Sequence, residues 1–199
     1  RVAVFFTGDE LAMPGEVAAD QLPPGAIYNS NRFTLRGLLE NFGCAITDYG
    51  IVPDSLEATR ATLREAARGH DLIITSGGVS VGEEDHIKPA VEAEGRLALW
   101  QIAVKPGKPL AFGAVRRESD RQGGDVEGLD GDEAHFLGLP GNPVSSFVTF
   151  LLFVRPFLLR LQGVLGQVEP CGYTVRADFD LPKGDRRNEF LRARLNAAG

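Results

Sequence analysis

Apolar residues run without a break through "VAVFF" (residues 2–6) and through "LIIT" (72–75). Uninterrupted runs of this length suit strands buried on both faces. "AITDYGIV" (45–52) reads as another strand between them. Helical periodicity fills the gaps. "RFTLRGLLENF" follows Asn29 or Ser30, either of which can cap it, and Gly43 stands just past its end. In "DSLEATRATLREAARGH", Leu56, Thr59, Leu63, Ala66 and Ala67 share one helical face, and Gly69 stops the helix. Asp54 and Glu57 stand at capping-box spacing, although such a box usually opens on Ser or Thr. A short helix is expected over 87–94, with Gly95 after it. "RLALWQIAV" and "PLAFGAV" read as strands around a tight turn, "KPGKP". The charged, Gly-rich stretch 116–134 reads as an exposed hairpin loop, and "HFLGL" returns as a strand. "PGNPVSS" then leads into one long helix over 144–161. Strand, loop and helix alternate, which predicts an α/β fold: a three-layer α/β/α sandwich.

After Gly163 the texture changes. "CGYTVRADFDLP" and "NEFLRARL" read as strands joined by "KGDRR", with no helix between. The chain is therefore divided into an α/β domain, 1–163, and the truncated beginning of a small β domain, 168–199. Both ends look cut, so the chain reads as a piece of a longer protein. The run "VSSFVTFLLFVRPFLLRL" is broken by Arg155 and Pro156, which favours a buried or amphipathic helix over a membrane span.

Composition narrows the partners. The 199 residues carry a formal charge of −6, with a pI near 5.1. No basic stripe is visible, so neither nucleic acid nor a membrane is expected as a partner. Cys44 and Cys171 stand far apart without metal-ligand neighbours, which fits a reducing, cytoplasmic setting. His70, His86 and His135 are isolated and read as structural or surface residues.

Candidate chemistry lies in the loops. In open α/β sheets, ligands bind beyond the carboxyl ends of strands. "TGDEL", "TSGGVSVGEEDH" and "LPGNPVSS" have that position. Gly77 and Gly78 let backbone approach an anion, with Ser76 and Ser80 as hydroxyl donors; the same residues would also make a plain tight turn. Pro140, Gly141, Asn142 and Pro143 precede Ser145 and Ser146 at a helix start. That suits either a phosphate or an ordinary N-cap. Lys105 and Lys108 flank Pro106-Gly107 and could clamp an oxyanion, or could simply be solvated. Asp9, Glu10, Asp54 and Asp85 are candidate carboxylates for a hard cation, each with a cap or surface charge as its rival role.

In order along the chain, "TGDEL", "IYNSN", "TSGGVSVGEEDHIK", "KPGKPLAFG" and "GLPGNPVSS" resemble the molybdopterin molybdotransferases, the MoeA family, to which the gephyrin E domain belongs. The resemblance runs from Val2 to about Leu161. It implies a molybdopterin-binding α/β/α domain, with a C-terminal β domain beginning near Val168. It implies insertion of molybdate into adenylylated molybdopterin with release of AMP, the last step of molybdenum cofactor biosynthesis, assisted by magnesium. Residue by residue it implies metal or catalytic roles for Asp85, Glu10 and Asp54. It implies substrate contacts for Thr7, Gly8, Asp9, Ser76, Gly77, Gly78, Ser80, Lys105, Lys108, Pro140, Gly141, Asn142, Ser145 and Ser146. A homodimer and a contact with the molybdopterin adenylyltransferase belong to the same implication. Phe6 stands where the family usually has Ser, which puts one hydroxyl contact in doubt. The sister adenylyltransferases share the domain but lack the combination of "PGKP" and "GLPGNP". Those enzymes, and a non-enzymatic gephyrin-like scaffold, are the alternatives.

Overall fold

The computed structural model describes residues 1–79, 86–117, 132–181, 183–184 and 186–196. Strand β1 (Val2–Thr7) is the first of its elements, and all six of its residues are buried. After it come two short strands, β2 (Leu11–Ala12) and β3 (Ile27–Tyr28), which pair with each other. Helix α1 (Ser30–Asn41) starts at Asn29, whose side chain accepts the Arg32 N–H at 3.2 Å. Strand β4 (Ile46–Val52), helix α2 (Leu56–Gly69) and strand β5 (Leu72–Ser76) come next.

The cap of α2 corrects the sequence expectation. Ser55, not Asp54, accepts the Ala58 N–H, at 3.3 Å. The helix starts one residue later than the capping-box spacing implied, and its cap is a Ser hydroxyl.

Helix α3 (Ile87–Glu94) and strands β6 (Gly95–Trp100), β7 (Val104–Lys105), β8 (Ala111–Arg116) and β9 (Glu133–Leu139) complete the sheet region. The sheet has six strands in the order β4-β1-β5-β9-β8-β6. Strands β4, β1, β5 and β9 are parallel, while β8 runs antiparallel to both of its neighbours. The ends of the 116–134 stretch do pair as a hairpin, Arg116 opposite Glu133; residues 118–131 of the expected loop lie outside the described residues. "KPGKP" is not the tight turn expected. It belongs to a wide connection that holds β7 and is closed by Gln101 N–H to the Leu110 carbonyl at 2.9 Å. Prolines on both sides of Gly107 cannot donate the cross-strand hydrogen bonds a two-residue hairpin needs.

Alternation along β1 builds two cores, as the pleat of a strand requires. Val2, Val4 and Phe6 meet Leu35 and Leu39 of α1 together with Phe150, Val154 and Leu158. Ala3 and Phe5 meet Leu63, Ala66 and Ala67 of α2 and Ile87, Ala90 and Val91 of α3. The three-layer α/β/α sandwich is thus as expected. On the second face Glu94, only 1% exposed, accepts from Arg60 at 2.7 Å and Arg64 at 3.2 Å, which ties α3 to α2.

The long C-terminal helix is three pieces: α4 (Pro143–Thr149), a π-helical turn (Phe150–Val154) and α5 (Arg155–Leu161). Pro156 has no N–H for the Leu152 carbonyl, and the wider turn accommodates that loss. The whole helical run, Pro143–Leu161, is long and apolar enough to cross a membrane by those measures alone. Its Phe150, Val154 and Leu158 are instead packed against the sheet.

The expected strands after Gly163 are mostly absent among the described residues. Only β10 (Asn188–Glu189) forms, and it pairs with β7. Residues 171–181 are exposed and irregular. A strand needs a neighbour to satisfy its backbone; β10 has β7, and 171–181 pair with nothing among the described residues.

Candidate functional site

The four parallel strands end in register. Thr7 pairs with Val52, Phe6 with Ser76, and Ser76 with Leu139. Their carboxyl ends therefore form one edge, from which 8–10, 53–55, 77–79 and 140–142 depart as loops. Strand β1 connects outward to β4, and the chain then crosses back to β5 on the other side of β1. The point between β1 and β5 is the topological switch, where such sheets open a crevice.

A cavity of about 250 Å³ lies there. Thr7, Gly8, Glu10, Asp54, Gly77, Gly78, Val79, Pro109 and Gly141 line it. The glycines are needed for reasons of space. Gly77 has φ +98°, and a Cβ there would collide with the Thr7 carbonyl oxygen. Gly78 has φ +61°, and a Cβ would come within 2.6 Å of Thr7 Oγ1 and 2.8 Å of Ile87. Both are conformations that side chains rarely adopt. The result is bare backbone beside the cavity.

A smaller annex of about 50 Å³ adjoins it, sharing Thr7, Glu10, Gly77 and Gly141. Asn31 stands between the two loops behind it. Its amide donates to Ser76 Oγ and to the Gly141 carbonyl, each at 2.8 Å, and Ser76 Oγ donates to the Pro140 carbonyl at 3.0 Å. One side chain in the first turn of α1 thereby sets the spacing of the β5 and β9 loops. The sequence reading did not single it out as a site residue, although "IYNSN" lies within the motif set; nothing in the spacing revealed a contact across 110 residues.

The predicted residues divide. Thr7, Gly8, Glu10, Asp54, Gly77, Gly78 and Gly141 share the main cavity wall, and Ser76 borders the annex. Asp9 is exposed and lines neither space. Asn142 is a helix cap: its side-chain oxygen accepts from Val144 N–H at 3.0 Å and Ser145 N–H at 3.1 Å. The Ser146 N–H goes to the Asn142 carbonyl at 2.8 Å. The first-turn donors expected for phosphate are consumed locally, and Ser145 and Ser146 are buried. Lys105 bonds Glu189 at 2.8 Å, and Lys108 is exposed; neither lines the cavity. Their loop is nonetheless seated on α4, since a Cβ at Gly107 would come 2.7 Å from Thr149, and Pro109 reaches the cavity. Ser80 and Asp85 lie outside the described residues.

Glu10 and Asp54 put two carboxylates on one wall, beside a buried Thr7 hydroxyl that has no hydrogen-bond partner among the described residues. The described residues hold no cluster of three or more carboxylate, His or Cys ligands. An oxygen-only pair beside bare backbone fits magnesium, which keeps waters and takes one or two carboxylates plus substrate phosphate.

Fold and site together define a doubly wound α/β protein with a glycine-walled crevice at its switch point. The chain belongs to the family described as the probable molybdopterin binding domain, whose model matches residues 3–160. A molybdopterin molybdenumtransferase of Haemophilus influenzae is 40% identical over 192 residues, covering 96% of this chain and 43% of that protein. Gephyrin of Dictyostelium discoideum is 38% identical over 171 residues, covering 81% of this chain and 24% of that protein. The crystal structure of a molybdopterin biosynthesis MoeA protein from Pyrococcus horikoshii superposes with a TM-score of 0.64 at 31% identity, covering 83% of this chain and 36% of that one. The chain thus spans less than half the length of these relatives.

Proposed function

We propose that this domain binds adenylylated molybdopterin and forms the substrate-binding core of a molybdopterin molybdenumtransferase, in which molybdate is inserted and AMP released. The observation that carries the reading is the cavity between the β1 and β5 loops, walled by Gly8, Gly77 and Gly78 and bordered by Glu10 and Asp54. Bare glycine backbone admits a pyrophosphate closely. Carboxylates beside it would repel that pyrophosphate unless a cation stood between, so the two halves of the wall call for a metal-bound phosphate. Glu10 and Asp54 would hold magnesium, with Asp85 as a third candidate from the sequence. When bound, the ion would offset the charge that develops as AMP departs. The chain's own part is to orient: the glycines fix the pyrophosphate, and Asn31 holds the β5 and β9 loops at their separation. Of the two lysines suited to molybdate, Lys108 is the exposed one, while Lys105 is engaged by Glu189. A homodimer, a contact with the adenylyltransferase and a cytoplasmic setting belong to the same reading.

The test is AMP release from adenylylated molybdopterin with and without molybdate, in the wild type and in Asp85→Asn. Molybdate-dependent release that slows in the variant is expected. Unchanged release in the variant removes Asp85 from the metal role. Formation of adenylylated molybdopterin from ATP and molybdopterin would move the protein to the sister adenylyltransferases.

A further inference from the structure

The lysines of "KPGKP" and the serines of "GNPVSS" line neither the main cavity nor its annex. The two motifs meet each other instead. Gly107, at φ +113°, lies against α4 where Ser145 and Thr149 stand one turn apart. A Cβ at Gly107 would come 2.7 Å from Thr149 Cγ2, 3.6 Å from the Ser145 carbonyl oxygen and 3.9 Å from Ser145 Cβ. Both the backbone conformation and the lack of space require glycine there.

Thr149 is held in the orientation that makes this seat. It is fully buried, and its hydroxyl donates to the Ser145 carbonyl at 2.8 Å, with the Ser146 carbonyl at 3.1 Å. That bond back along the helix fixes the rotamer, and with it the methyl group that faces Gly107. The loop is pinned at its base as well. Gln101 N–H donates to the Leu110 carbonyl, and Ile102 N–H to the Lys108 carbonyl, each at 2.9 Å. Gln101 has φ +77° and is the one non-glycine residue at positive φ among the described residues. Strain of that kind persists where the surrounding structure imposes it.

Lys108 therefore stands between two fixed neighbours. Gly107 is seated on α4, and Pro109 forms part of the main cavity wall. The Lys108 carbonyl is itself held by Ile102, so its backbone follows the seat. A charged group used to bind an oxyanion gains from such support, because an ångström of displacement is enough to weaken it. We propose that Thr149 is a positioning residue: its methyl contact with Gly107 sets where Lys108 stands at the cavity rim, and thereby the affinity for molybdate. The "GNPVSS" helix then serves to aim the lysine loop rather than to bind phosphate. This rests on the molybdate role proposed above for Lys108.

The experiment is a double-mutant cycle on the full-length protein, with Gly107→Ala, Thr149→Ser and the two combined. The readouts are KM for molybdate and kcat in AMP release, with the thermal midpoint of each variant. Gly107→Ala drives a methyl group into Thr149 Cγ2 and should raise the molybdate KM about tenfold, with a smaller change in kcat. Thr149→Ser removes that carbon and keeps the hydroxyl that bonds Ser145. Alone it leaves a methyl-sized gap and should raise the molybdate KM about twofold. Added to Gly107→Ala it should act in the opposite direction and recover several fold of the lost affinity. If Gly107→Ala does not fold, a double variant that folds and has a near-normal molybdate KM supports the seat equally. A double variant no better than Gly107→Ala, in folding or in KM, would overturn it. So would a Gly107→Ala whose midpoint falls while its molybdate KM stays at wild type, since the contact would then be structural only. A wild type whose AMP release is indifferent to molybdate would overturn the proposed function and the positioning role together.

Discussion

Two glycine-bearing loops leave the same edge of the sheet and both read as candidate anion sites, the second the stronger from its sequence, yet they are built in opposite ways. The loop after β5 is open: Gly77 and Gly78 adopt positive φ, pack on Thr7 and present bare backbone to the cavity. The loop after β9 is closed upon itself. Asn142 caps α4 with its side chain and its carbonyl, and the first-turn N–H groups are already bonded. What separates them is whether a side chain within the motif can reach the donors first. Asparagine at a cap position competes with any ligand for those N–H groups. Glycine has nothing with which to compete.

The largest expected effect contrasts the two loops directly. Gly77→Ala would place a methyl group against the Thr7 carbonyl at φ +98°. It should cost about 3 kcal/mol in thermal or urea unfolding and abolish AMP binding, because strain and collision both act there. Gly141→Ala meets only Gly77 Cα at 3.7 Å, an ordinary contact, and should stay within about 0.5 kcal/mol of wild type. Similar losses at both positions would erase the distinction between the loops.

These outcomes bear on what the sequence could reveal. The sandwich was readable because unbroken runs such as "VAVFF" and the helical face of Leu63, Ala66 and Ala67 are local signals of burial. Most of the cavity wall was readable too, because glycines and acids after strands lie at a predictable edge. Contacts across the chain were not readable. Asn31 reaches Gly141 and Glu189 reaches Lys105 by geometry that no spacing encodes, whereas the Ser55 cap on Ala58 is a local contact that the preference for Ser at a cap could have revealed. The expected strands over 171–181 failed for a related reason. Strand propensity in "GYTVRADF" is real, but a strand is a property of a pair.

The second effect tests the open loop's acids. Glu10→Gln and Asp54→Asn each keep shape and remove a charge from the wall beside Gly77. Each should slow molybdate-dependent AMP release on the order of a hundredfold at fixed magnesium, with part of the loss recovered as magnesium is raised. Titrating magnesium against rate in both variants is the check. A loss that magnesium cannot reduce would assign these acids to substrate rather than to the ion.

A smaller effect belongs to the closed loop. Asn142→Ala removes the acceptor for Val144 and Ser145 N–H and should lower unfolding stability by about 1 kcal/mol, the usual value of a helix cap. Asn142→Asp retains an acceptor and should restore most of that loss. If Asn142→Ala leaves stability unchanged and weakens AMP binding instead, the β9 loop joins the β5 loop as an open site.

The smallest effect concerns the lysine loop, which sits between these two cases. Lys105 bonds Glu189 at 2.8 Å, but the lysine side chain is 44% exposed and the glutamate 20%. Water and salt screen such a pair, and holding two long side chains together costs entropy, so Glu189→Gln should change stability by less than about 0.5 kcal/mol. Its consequence for molybdate should be more telling. With the carboxylate neutralised, the ammonium no longer has that anion beside it, and molybdate affinity should rise severalfold at low salt and converge on wild type as salt increases. A molybdate affinity indifferent to Glu189→Gln would mean that Lys105 is structural, as Asn142 is, and that Lys108 alone faces the oxyanion from this loop.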